Sequence, residues 1–177
     1  MVVNYREATR DDTLAIATLH AESWQVAYRG AYSDDFLDGP VLQDRIAVWE
    51  RRMSSPRADR FVVLAEDGGE IAGFACAYGA DDERRGTLLD KLHVRRDLHR
   101  RGVGARLISE IAKWCIANYP GTGLYLGVLE QNASARAFYE RLGATDVEGF
   151  VDSPPGGGQV NVRRYAWAVE QLPALGQ

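Results

Sequence analysis

Apolar and polar positions change their period several times along the chain, and each change marks an element. Val2 to Ala8 is a first strand candidate, and Thr9 and Asp11 stand as N-caps before a helix that runs to about Tyr28. Ser33 then caps a second helical stretch, in which Phe36, Leu37, Leu42, Ile46 and Trp49 recur at spacings that share one face. After Pro56 the texture turns to β: Phe61 to Glu66 and Glu70 to Ala77 are apolar runs separated by Asp67-Gly68-Gly69, a hairpin signal. Thr87 to Val94 reads as a strand, Gly102 to Asn118 as a helix, Leu124 to Leu129 as a strand and Ala133 to Leu142 as a helix. Two final strands flank Asp152 to Gly158, whose paired prolines and three glycines can continue neither a helix nor a central strand. Val103, Leu107, Ile111 and Cys115 step by four along the helix from Gly102, a stripe made to lie on a sheet, and Asn118 to Gly121 ends it. The order of elements predicts a mixed α/β protein.

Length and composition narrow the class. A chain of 177 residues, 46% hydrophobic and 26% charged, matches one globular domain spanning 1–177. No apolar run approaches the roughly 20 residues that span a bilayer, and no secretory signal opens the chain, so a cytoplasmic location and no membrane partner are expected. Cys76 in a strand pattern and Cys115 in a helix pattern read as buried small hydrophobes, with neither a disulfide nor a metal site implied. The net charge of -4 argues against a nucleic-acid partner. Positive charge is nevertheless clustered: Lys91, Arg95, Arg96, Arg100, Arg101 and Arg106 lie close together beside Asp90 and Asp97, a setting that suits a small anionic ligand.

The same stretch carries the strongest chemical signal. A strand through His93 and Val94 leads to His99, Arg100, Arg101, Gly102, Val103, Gly104 and Ala105 at the start of a helix. A helix N-terminus presents unpaired N–H groups at its positive end, and glycines without Cβ let a pyrophosphate approach the main chain. Arg100, Arg101 or Arg106 would add charge-assisted hydrogen bonds. A dinucleotide fingerprint fails because the third glycine position is Leu107, and a P-loop fails because no Gly-Lys-Ser/Thr follows a glycine cluster. Further on, Asn132 and Tyr139 are seven apart, about two helical turns or roughly 10 Å, and share a face. Taken alone, Asn132 is an N-cap and Tyr139 a core residue with its hydroxyl at the surface.

Together, Leu88 to Ile108 and Gly127 to Ala144 resemble the acyl-CoA-binding core of the GCN5-related N-acetyltransferase (GNAT) superfamily: a strand ending in valine, a Gly-x-Gly turn opening a helix, then Asn132-x-x-Ala135-x-x-Phe138-Tyr139-x-x-x-Gly143. The resemblance implies a single-domain fold with a mixed, mostly antiparallel sheet of about seven strands flanked by about four helices. It implies acetyl-CoA as co-substrate, with the main chain at His93 and Val94 pairing the pantetheine arm and Arg100 to Ala105 cradling the pyrophosphate. It also draws Asn132 and Ala135 into the cofactor site and makes Tyr139 the proton donor to the departing thiolate. Two positions depart from the pattern: His99 replaces the usual Gln or Arg, and Leu88 stands where several members carry a glutamate base.

A protonated alkyl amine costs about 4 kcal/mol to deprotonate at neutral pH, so the missing base matters. Asp90 shares a strand face with Leu88 by alternation and is the first candidate, followed by His93 and by water; a salt bridge from Asp90 to Lys91 or an arginine is the structural alternative. On the acceptor side the family usually uses the early helices and the late strand loop, which here means His20, Trp24, Tyr28, Tyr32 and Asp152 to Gly158. Trp24 and Tyr28, one turn apart, suit the boxing of a cationic amine or an ordinary core. Neither cysteine has a local base, so the expected reaction is direct attack by a primary amine, on a small molecule or a peptide, in a ternary complex. The rival is a non-catalytic acyl-CoA-binding sensor, favoured by Leu88 and His99; the strand edges are also compatible with a homodimer.

Overall fold

The computed structural model describes residues 2–177, which form β1 (Val3–Glu7), α1 (Thr13–Ala27), α2 (Asp34–Asp38), α3 (Val41–Ser54), β2 (Arg60–Asp67), β3 (Glu70–Asp82), β4 (Gly86–Val94), α4 (Val103–Asn118), β5 (Leu124–Leu129), α5 (Ala133–Arg141), β6 (Thr145–Asp152), β7 (Val160–Trp167) and α6 (Leu172–Leu175). The strands make one seven-stranded sheet ordered β1-β2-β3-β4-β5-β7-β6, antiparallel everywhere except between β4 and β5. The expected α/β fold is thus present. To the four longer helices it adds the short α2 and α6, of five and four residues.

Local chemistry accounts for most boundaries. Gly68 and Gly69 both have positive φ, 63° and 88°, which is what a two-residue hairpin turn demands between β2 and β3. The carboxylate at the entry to α1 is that of Asp12 rather than Asp11: it accepts from the Thr9 N–H (2.7 Å) and hydroxyl (3.1 Å), and Arg6 holds it. Ser33 makes no side-chain cap; its carbonyl instead accepts from the N–H groups of Phe36 and Leu37. The second helical stretch is broken by Gly39 and Pro40 into α2 and α3, because proline cannot donate inside a helix.

The sheet is covered on both faces. On one, Val103, Leu107, Ile108, Ile111 and Cys115 of α4 pack on Ala75, Ala77, Leu89 and Leu126, as the step-of-four stripe requires. On the other, Ile16, Ala17 and Leu19 of α1 and Trp49 of α3 pack on Val62, Leu64, Phe74 and Cys76.

The centre of the sheet is where regularity fails. β4 and β5 pair only at Thr87↔Leu124 and Leu88↔Tyr125. Beyond Leu88, Ala77 opposes Leu89 and Cys76 opposes Lys91, so Asp90 is an extra residue, a β-bulge that bends β4 and sharpens its twist. At the paired end, a Cβ on Gly86 would lie 2.4 Å from the Gly123 carbonyl oxygen, and Gly86 has φ +88°. The crossing therefore needs glycine for both conformation and close approach. Gly86→Ala is expected to destabilise the fold by at least about 2 kcal/mol, read as a lowered urea midpoint with unchanged m-value; an unchanged midpoint would show that the two strands part without this contact.

Candidate active site

Two flanks of the β4 and β5 gap face each other. One edge of β4 from Leu89 to Val94 has no strand partner, which leaves main-chain groups for a bound chain to pair. The segment after Val94 is pinned at three points: Leu98 and Val103 are buried in the core, and the His99 Nε2–H donates to the Val94 carbonyl at 2.9 Å. His99, expected at the phosphates, thus spends a ring nitrogen on tying the loop to β4. Arg100 (φ 63°) and Gly102 (φ 84°) are both left-handed, and this alternation curls successive N–H groups toward one side, as in an anion-binding nest. Gly102 occupies the N-cap of α4 with no side-chain cap, and Arg106 is the first residue whose N–H reaches back to it. The opening N–H groups of α4 are therefore uncapped donors.

The basic cluster around this loop divides in two. Lys91 is tied to Asp90, Arg95 to Asp97 and Arg106 to Glu110. Arg100 is exposed and meets no carboxylate among the described residues.

α5 supplies the opposite wall. Asn132 is its N-cap, with Oδ1 accepting from the Ala135 N–H at 3.1 Å, so the capping role is realised and Nδ2 remains for other partners. Tyr139 is buried against Phe138, Tyr165 and Trp167, and burial pushes its phenol well above the ordinary value. Phe138 lies 3.3 Å from where a Cβ on Gly104 would stand, so α5 closes directly over the start of α4.

On the other sheet face a cleft of ≈ 440 Å³ opens between α1, α3, β4 and the loop after β6. Trp24, Tyr32 and the Asp152 to Pro155 segment line it, whereas His20 is wholly buried beneath and stays outside it. Tyr28 does not line the cleft; it packs beneath it against Trp24 and Tyr32, with ring centroids 5.3 and 4.8 Å apart, and against the Leu129, Val160 and Val162 cluster. One expectation changes: the Trp24 ring face is already covered by the Arg45 guanidinium, 4.0 Å from its centroid, so an incoming ammonium does not stack there.

Arg45, Arg51 and Arg52 also line the cleft and had no place in the motifs; Lys91, the first residue of the basic cluster, lines it with them. Arginines on a helix ordinarily read as a solvated face; the available signal was that Arg45 and Arg52 flank Trp49 at helical spacing, on its apolar side. The bulge brings Lys91 to this face beside Asp90.

Asp90 and the histidines differ from free groups. Asp90 accepts from Arg52 (2.8 Å) and Lys91 (2.7 Å), the salt-bridged arrangement foreseen as its alternative. Burial alone would raise its carboxyl, but Lys91 and Arg52 together outweigh burial and hold it below the ordinary value. Burial, reinforced by Lys91, pushes His93 down to about 3. His20 is pushed well below its ordinary value by burial and then by His93; its Nδ1 accepts from Trp49 Nε1–H at 2.9 Å, which leaves the proton on Nε2. The thiols of Cys76 and Cys115 are raised to about 12 and about 11 by burial, so neither is a thiolate nucleophile.

Comparison with known proteins gives one consistent result. The family model described as "Acetyltransferase (GNAT) family" matches residues 15–144. A 5-NmdU N-acetyltransferase of Pseudomonas phage PaMx11 is 32% identical over 131 residues, covering 74% of this chain and 84% of its own. Among solved structures, the PaiA N-acetyltransferase of Thermoplasma acidophilum in complex with coenzyme A superimposes with TM-score 0.72 at 16% identity, over 94% of this chain and 100% of that one. A Salmonella typhimurium acetyltransferase structure with its cofactor acetyl-CoA has TM-score 0.66 at 18% identity, over 96% and 95%. Among the described residues no helix is long and apolar enough to cross a membrane.

The neutral histidines set an acid limit on stability. Both have lowered folded-state values, so their contribution is complete above the unfolded value near 6.5 and is lost as pH falls, because the unfolded chain then binds more protons. Between pH 6.5 and 5 the His93 imidazole should cost roughly 2 kcal/mol, a Tm fall of roughly 5 °C, and His20 adds to the loss in the same direction. Melting curves from pH 7 to 5 check this, and a flat Tm would mean that both titrate normally.

Proposed function

The chain belongs to the GNAT acetyltransferase family, and from that premise we propose that residues 1–177 act as one acetyltransferase domain moving an acetyl group from acetyl-CoA to a primary amine by direct attack. The observation that carries this is the parting of β4 and β5 after Leu88 beside the uncapped start of α4. A splayed strand edge and a cluster of free N–H donors are what an extended amide chain ending in a pyrophosphate requires. The neighbours solved with coenzyme A and with acetyl-CoA support the same assignment.

In this proposal the main chain at His93 and Val94 pairs the pantetheine arm. The N–H groups of Gly102, Val103, Gly104 and Ala105 take the pyrophosphate, with Arg100 and Arg101 adding charge. Asn132 and Ala135 hold the far wall. When bound, acetyl-CoA supplies a thioester carbon that an amine attacks without prior activation of an enzyme nucleophile.

Tyr139 stays protonated because burial raises it, and its hydroxyl donates to the departing thiolate. Arg45, Arg52 and Lys91 disfavour an ammonium in the cleft and so favour the neutral, nucleophilic amine. Asp90, held ionised by Lys91 and Arg52, accepts a hydrogen bond from the amine and orients it; with so low a basicity it does not store the proton, which passes to water. Trp24 and Tyr28 shape the acceptor side. The protonated thiols of Cys76 and Cys115 are consistent with a reaction that has no acyl-enzyme.

Calorimetry with acetyl-CoA should show micromolar binding that Gly104→Glu abolishes without loss of the melting transition, since the new side chain presses on Phe138 and Val94 beside the α4 N-terminus and brings a negative charge to that end of the helix. Absence of binding to folded wild type would remove the proposal. Tyr139→Phe should lower kcat by roughly 10- to 100-fold while acetyl-CoA affinity stays within about threefold, because the acid assists a leaving group whose pKa is already near 8.5. An unchanged kcat would transfer the donor role to another group.

A further inference from the structure

The acceptor cleft has a charge that selects its substrate. Arg45, Arg51, Arg52 and Lys91 line it, and the carboxylates beside them are Asp44, Asp90 and Asp152. One unit of positive charge is left over.

The individual contacts show where that charge sits. Arg52 and Lys91 share Asp90. Arg45 is almost wholly buried, donates from Nε and Nη2 to Asp44 and has its guanidinium carbon 4.0 Å from the Trp24 ring centroid, which holds the group in place and leaves Nη1 for a further partner. Arg51 is exposed at the rim and meets no carboxylate among the described residues. A second, independent observation lies in the same wall: the indole Nε1–H of Trp24 is buried and bonds to no acceptor, although buried donors are normally satisfied. The cleft wall thus holds two cations, one of them unmatched, together with Trp24, whose buried indole N–H is unused.

Resting on the acetyltransferase reading above, we propose that the acceptor is a primary amine bearing a carboxylate, an amino acid in its free form, whose carboxylate is held by Arg45 and Arg51 while its amino group faces Asp90. A single carboxylate neutralises the excess charge, whereas a phosphate dianion would overshoot it. Polyamines and aminoglycosides, being polycations, are repelled by the same residues. The reaction balances simply: the amine nitrogen forms the new bond to the acetyl carbon, the carbon–sulfur bond breaks, the sulfur leaves with the Tyr139 proton, and the proton released by the amine passes through water to restore the Tyr139 hydroxyl.

The test is thiol release from acetyl-CoA with the twenty common amino acids, each beside its C-terminal amide, and with spermidine and an aminoglycoside. At least one amino acid should be acetylated with a kcat/KM tenfold or more above that of its amide. In Arg51→Gln that advantage should shrink to within about twofold through a raised KM, with the acetyl-CoA dissociation constant unchanged. Preferred turnover of an amide or of spermidine would overturn the carboxylate assignment and leave acetyl transfer standing. So would binding of acetyl-CoA with no amino acid acetylated. Failure to bind acetyl-CoA at all would overturn both.

Discussion

Two hydrogen-bonded residue pairs hold β4 to β5, and the whole site follows from how quickly that pairing stops. Thr87 and Leu88 meet Leu124 and Tyr125, after which the strands separate and leave main-chain groups unmet in the middle of a sheet. Exposed strand edges are normally covered or blunted. Here the separation is built in twice, by the glycine crossing at Gly86 and Gly123 that fixes where the strands touch, and by the bulge at Asp90 that bends one away from the other. The core under α4 spans both half-sheets, so the gap is a feature of a rigid frame and not a loose seam.

The bulge has a second effect, on charge. By adding a residue it presents Asp90 and Lys91 to the same face, where α3 delivers Arg45, Arg51 and Arg52. That face carries a surplus of positive charge within a chain whose net charge is -4. The buried imidazole of His20 and the half-buried one of His93 lie next to these cations and are kept neutral, which adds no further charge to a crowded region. The two sides of the proposed site are thereby chemically unlike: the start of α4 presents main-chain N–H groups, the cleft ionised side chains.

Where a segment's own residues decide its geometry, the sequence was legible. β5 runs over the expected Leu124–Leu129, and α4 begins one residue after the expected glycine because Gly102 turns out to be its N-cap. The glycine turn at the start of α4 and the α5 face stood out because their geometry is local. Features set by distant partners were hidden. An inserted bulge residue leaves no trace in an alternating pattern, so the pairing of Asp90 and Lys91 on one face could not be read. β3 continues to Asp82 because Tyr119 packs on Gly79 and the Tyr125 hydroxyl bonds Asp81, contacts some 40 residues away. The helical spacing of Arg45 and Arg52 around Trp49 was the one local hint; that Arg45 covers Trp24, on another helix, was hidden because that contact is 21 residues away.

The glycine crossing also divides the molecule into a part that can vary and a part that cannot. The tip of the β3 and β4 hairpin, residues 83–85, and the turn of residues 120–122 both lie beyond the crossing, on the side away from the gap. Changes of length there would be absorbed by surface chain without shifting Leu89 to Val94. Evolutionary drift in size and surface character therefore has a natural outlet at that end, while the opposite end, where strand edge, α4 and α5 converge, is closed to insertion by its own packing.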